Sequence, residues 1–158
     1  MDTQLTVSLD AIDLLKTEHH QLVQRLGDIL PLQPLSHCVE RIDSLCAALK
    51  VHMIAEREIF YPEFLHATHD TLSYLCASIN DESVKNIIDE VENADPGDLE
   101  FSARVHELYI LFAHHAKDAE KPSGLFDAAQ HSALDRHEVG RAILMRKREL
   151  EDELVVAQ

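Results

Sequence analysis

The stretch from Ile42 to Pro62, IDSLCAALKVHMIAEREIFYP, carries Ile42, Leu45, Leu49, His52, Glu56 and Ile59 at steps of three and four. That spacing puts all six on one side of an α-helix, because residues three and four apart lie one above the other. Four of the six are apolar and define the face turned to a core, so His52 and Glu56 point into that core with them. A lone inward carboxylate costs several kcal/mol of desolvation. A bound cation removes the problem.

The rest of the chain supports a helical reading. Four Gly, five Pro, no Trp and 5% aromatic residues leave out the turn punctuation of an all-β protein, whereas Leu, Ala and Glu abound. With 158 residues, 46% of them hydrophobic, the chain predicts one compact domain over 1–158. Ser8 and Asp10 are candidate caps of a first helix running to about Leu30, with Ile12, Leu15, Leu22, Leu26 and Ile29 inward. A second runs from about Ser36 to Phe60 and is closed by Pro62. A third runs from about Asp70 to Asn93, with Leu72, Leu75, Ile79, Val84, Ile87, Ile88 and Val91, its phase less clean around Asn80. A fourth runs from about Leu99 to Ala119, with Phe101, Val105, Leu108 and Phe112. Four long amphipathic helices with short connections predict an all-α, up-down-up-down four-helix bundle, and RAILMRKREL near the end predicts a short C-terminal helical extension.

Charge and cysteines narrow the function. The formal charge of −15 opposes binding to nucleic acid and to anionic membranes, both of which are held through Lys and Arg. No apolar run reaches the ~20 residues that span a bilayer, and the opening MDTQLTVSLDAIDLL has no secretory pattern. The three cysteines form no CxxC pair, so a disulfide framework and a thiolate zinc site are not indicated. A soluble, cytoplasmic protein with reduced, buried thiols is the expectation, and its acidic faces suit a homodimer or a basic protein partner.

Histidine is the unusual residue, with 11 in the chain. His19 falls in the apolar stripe of the first helix between Leu15 and Leu22, while His20 has Lys16 and Gln24 as its neighbours. In the fourth helix His115 continues the stripe from Phe112, with His114 a hundred degrees round and able to serve instead. Asp118 and Glu120 follow as available carboxylates. One core-facing His is ordinarily a packed, hydrogen-bonded residue, but three helices aiming His inward, with Glu56 among them, predict a metal site. Imidazole and carboxylate without thiolate suit iron, manganese or zinc, and two carboxylates from different helices can bridge two ions. Ferritin-like bundles need Glu-x-x-His on two helices, and only Glu63-Phe64-Leu65-His66 matches here.

His19 on the first helix, then H52-x-x-x-E56 followed by IFYP, then His114-His115 with carboxylates followed by GLF, resembles the hemerythrin-like, HHE cation-binding family in order and helix placement. The resemblance implies a non-haem di-iron centre, with one His from each of helices one and three and a His-plus-carboxylate pair from each of helices two and four. It implies His19 and His52 as terminal ligands, Glu56 as a bridging carboxylate, His115 or His114 as the helix-four ligand, and Asp118 or Glu120 as the second bridge. Two departures stand out. Asp81, with Glu82 beside it, occupies the helix-three slot where the family usually has His, and Lys121-Pro122-Ser123-Gly124 interrupts the end of helix four. The implied function is binding of O2 or a related small ligand, NO or peroxide, as sensor, carrier or scavenger. The alternatives are a di-iron enzyme for detoxification or iron-centre repair, and a signalling bundle with a degenerate site.

Overall fold

The computed structural model describes residues 9–156, and among them there are helices and connections but no strand. Helix α1 spans Ala11–Ile29, α2 Val39–Ala55, α3 Tyr61–Thr68, α4 Thr71–Asn93, α5 Leu99–Glu120, α6 Leu125–Gln130 and α7 Arg136–Val156. Asp10 caps α1, its carboxylate accepting from the Ile12 and Asp13 amides. Ser8, the other candidate cap, lies outside the described residues. Asp70 caps α4 by accepting from the Ser73 amide at 3.0 Å.

Pro62 does not close the second helix. Glu56–Phe60 forms a turn of π-helix that joins α2 to α3, so the rod continues to Thr68. The wider turn, closed by the Tyr61 amide on the Glu56 carbonyl, leaves Pro62 at the start of α3, where its missing N–H is tolerated. The extra residue also rotates everything beyond it. Phe60, Tyr61 and Phe64 take the core positions, and Ile59, expected inward, is only half-buried.

Helix α4 explains the unclean phase around Asn80. Its second half faces the core through Val84, Ile87, Ile88 and Val91, whereas the first half meets the core through half-buried Tyr74 and Ala77 and leaves Leu72, Leu75 and Ile79 exposed. The stripe read as continuous is two stripes on different sides. The C-terminal extension is longer than expected, because α7 has 21 residues and lies along α1, α2 and the π turn. Gly140 permits that approach: a Cβ there would sit 1.7 Å from the Leu9 carbonyl oxygen. Of the cysteines, Cys46 is buried, Cys38 half-buried and Cys76 exposed, so the expectation of buried thiols holds for Cys46 alone.

Two apolar clusters fill the interior. One gathers Leu22, Leu49, Met53, Val84 and Phe112; the other gathers Leu15, Phe60, Tyr61, Ala119 and Phe126. Buried polar residues lie between the two: His19 on α1, His52 on α2 with Glu56 in the π turn after it, Asp81 on α4 and His115 on α5.

Candidate metal centre

Helical phase brings these side chains together, and apolar packing on both sides holds them there. His19, His52, Glu56 and His115 offer ligand atoms that all lie within 4.8 Å of one another, and each residue is at most 5% exposed. Glu56 stands at the centre. Its Oε1 is 3.1 Å from His19 Nε2 and 3.2 Å from His52 Nε2, while its Oε2 is 3.2 Å from His115 Nε2. The edges of a tetrahedron with metal–nitrogen bonds of about 2.05 Å are about 3.3 Å, close to the three Glu56–His separations, while the set as a whole spans up to 4.8 Å.

Asp81 reaches the same layer from α4. Its Oδ1 lies 3.4 Å from His115 Nδ1 and accepts from the Tyr61 hydroxyl at 2.8 Å; that hydroxyl is also 3.1 Å from Glu56 Oε2. One phenolic proton cannot satisfy both carboxylates at once. The electrostatics reflect the crowding. Burial, then repulsion by Glu56, lifts the Asp81 carboxyl to about 7 against the pull of His115 and the Tyr61 bond. Burial opposes ionisation of Glu56 too, but the attraction of His52 and His115 and the bonds from His115 and His19 together hold it well below the usual carboxylate range. Burial lowers His19 to about 4 despite its bond to Glu56. Burial also works against His115, and its attraction to Glu56 and Asp81 overcomes this and raises it.

Several polar atoms in this layer lack a well-aligned hydrogen bond: His19 Nδ1 and Asp81 Oδ2, and also His52 Nε2 and His115 Nε2, which lie 3.2 Å from the Glu56 oxygens. Buried polar atoms are ordinarily paired, and a concentration of such donor atoms fits a cation. Aromatic rings wall the layer. Phe126 stacks on the His19 ring at 5.5 Å between centroids, and Phe112 stacks on His115 at 5.4 Å. Phe126 is delivered by the Lys121–Gly124 interruption, which turns the chain from α5 into α6 without shortening α5. Gly124 is needed there because a Cβ would lie 2.8 Å from the carbonyl oxygens of Asp118 and Lys121.

The other sequence candidates lie outside the cluster. His114 is exposed, because the phase that buries His115 turns its neighbour outward. Asp118 is half-buried and accepts from Lys121 at 2.7 Å. Glu120, one-fifth exposed, pairs with the outward His20 at 3.1 Å, although its Oε1 is itself buried. His66 and His69, ahead of α4, are exposed, and Glu58 pairs with Arg146 of α7. Two neighbours of the site escaped the periodicity. Tyr61 reaches it only because the π turn rotates it inward. Glu18, half-buried on α1, accepts from His52 Nδ1 at 2.7 Å; its position directly before His19 was the available signal.

A helical bundle with a buried layer of three histidines and carboxylates belongs to the class of cation-binding bundles. A family model described as the Hemerythrin HHE cation binding domain matches residues 10–122, and the chain belongs to that family. No curated protein and no solved structure matches the chain. Among the described residues, no helix is long and apolar enough to cross a membrane.

Proposed function

We propose that the chain is a non-haem di-iron protein of the hemerythrin type that binds O2 or a related small ligand, NO or peroxide, as a sensor, carrier or scavenger. The observation that carries this reading is the two-sided use of Glu56. Its Oε1 faces His19 and His52, its Oε2 faces His115, and Asp81 approaches on the second side. A carboxylate so placed suits a bridge between two ions. We read the bundle as up-down-up-down, because α1 passes from Leu15 to Leu22 between the two apolar clusters, α2 returns from Leu49 to Phe60, and α4 and α5 repeat the alternation.

Iron held here would supply an open coordination position and electron exchange with a small ligand. The protein's own part is binding and shielding. His19, His52, Glu56 and His115 would hold the ion, with Asp81 available on the second side. Leu15, Leu22, Leu49 and Phe112 keep bulk water out. Tyr61 holds a proton between Glu56 Oε2 and Asp81 Oδ1, on the side where a cavity of about 270 Å³, lined by Tyr61, Cys76, Asn80, His115 and Asp118, gives a small molecule room to approach.

A one-ion centre is the second reading. The compact set within 4.8 Å favours it, with Asp118 paired to Lys121 and one oxygen of Glu120 to His20. Metal analysis of protein purified without chelator separates the two: about two irons per chain are expected, one iron would support the second reading, and none would overturn both. His52→Ala and Glu56→Ala should each lower occupancy sharply, while His20→Ala should not. Full iron retention by the His52→Ala/Glu56→Ala double variant would mean that the polar layer is structural.

A further inference from the structure

Helix α7 lies beyond the residues that the family model matches, yet it is wired to the metal centre. Glu18 uses its two carboxylate oxygens separately: Oε2 accepts from His52 Nδ1 at 2.7 Å, and Oε1 is paired with Lys147 Nζ of α7. His52 is 1% exposed, Glu18 16% and Lys147 21%, so the chain of contacts runs from the surface of the bundle into its polar layer. Burial draws the Lys147 ammonium below the ordinary lysine value. A second bond docks α7 nearby, from Arg146 Nε to Glu58 at 2.6 Å. Alongside lies a cavity of about 620 Å³ between α1, α2 and α7, lined by Glu18, His52, Lys147, Arg25 and Glu151.

We propose that Glu18 and Lys147 are positioning residues for His52: Glu18 keeps the proton on Nδ1, so that the Nε2 lone pair faces the cation site, and Lys147 fixes Glu18 in that role. An imidazole binds a metal through a nitrogen that carries no proton, and the partner of the other nitrogen decides which one that is. His52 Nε2 is the atom that faces Glu56, and it lacks a well-aligned hydrogen bond. Without Glu18 the proton would favour Nε2, where Glu56 accepts it, and the lone pair would point away from the site. Without Lys147, Glu18 would be free to turn into the adjoining cavity. The C-terminal helix thereby sets how tightly the centre holds its metal, an inference that rests on the cation-site reading above.

The test uses the full chain and the variants Glu18→Leu, Lys147→Met and Lys147→Arg, with two readouts: the rate of ferrous iron loss to a chelator, and imidazole 15N NMR of the metal-free protein. Glu18→Leu should lose iron at least about tenfold faster, in line with the usual effect of removing a partner from a ligand histidine. Lys147→Met should fall between it and the parent, and Lys147→Arg should match the parent. His52 should carry its proton on Nδ1 in the parent and move toward the Nε2–H form in Glu18→Leu. Unchanged iron loss together with an unchanged tautomer in Glu18→Leu and Lys147→Met would overturn the proposal. A parent that holds no iron would sink the metal reading, and the NMR would still decide here: a shifted tautomer supports the role of Glu18, a retained one refutes it. If Glu18→Leu does not fold, the Lys147→Met and Lys147→Arg pair decides by the same criteria.

Discussion

Asp81 is the residue at which stability and the proposed metal binding would oppose each other. Its carboxyl sits at about 7 in the folded, metal-free protein against an ordinary value of 3.8. A raised carboxyl means that the folded state favours the protonated form, so its stabilising contribution is complete below the unfolded value and is lost as pH rises from about 4 through about 7. A difference of about three units corresponds to at most about 4 kcal/mol. Metal-free Asp81→Asn should therefore be more stable than the parent at pH 8, with the difference fading toward pH 4, as denaturant melts across that range would measure. The same variant should release iron faster, because a neutral amide replaces the anionic donor beside His115. A variant no more stable than the parent at pH 8 would mean that the Asp81 charge is compensated without metal.

Two elements owe their placement to backbone rather than side chain. The π turn at Glu56–Phe60 lets one rod carry both Glu56 and Tyr61 to the same layer, although five residues separate them. Helix α7 is seated by Gly140, where a methyl group would overlap the Leu9 carbonyl at 1.7 Å. Gly140→Ala gains helix propensity of about 1 kcal/mol, but it must push α7 from the start of α1 at an overpacking cost of about 1–3 kcal/mol. The net effect should be destabilising in chemical denaturation. Gly27→Ala is the control: its nearest neighbour is Tyr109 Cε2 at 3.6 Å, an ordinary contact, so only the propensity gain remains and the variant should be modestly more stable.

The whole molecule places a layer of charge between two apolar clusters, an arrangement that is costly without a cation and favourable with one. Metal binding should therefore raise the melting temperature well beyond that of the chelated protein. A ligand present at a hundred times its dissociation constant adds about 2.7 kcal/mol. Calorimetry with and without ferrous iron would measure this. Equal melting temperatures would mean that the layer is satisfied by its own hydrogen bonds.

Hydrophobic periodicity alone determined that the chain is helical and that His19, His52, Glu56 and His115 point inward, because burial on a helix repeats with the helix itself. Asp81 was marked by the family resemblance instead, as the residue in the helix-three slot where the family usually has His. Periodicity describes a residue relative to its own axis, however, and says nothing of what a neighbouring helix brings. Leu72, Leu75 and Ile79 read as core yet are exposed, since the first half of α4 has no partner on that side among the described residues. Periodicity put His115 in the stripe but left His114 able to serve instead, until the packing of α5 turned His114 outward. The π turn rotated Tyr61 inward and Ile59 partly outward, against an unbroken α-helical count. The contact of Glu18 with His52 joins residues 34 positions apart, and that with Lys147 joins helices at opposite ends of the chain. Only packing, which fixes distances between axes, could make either one.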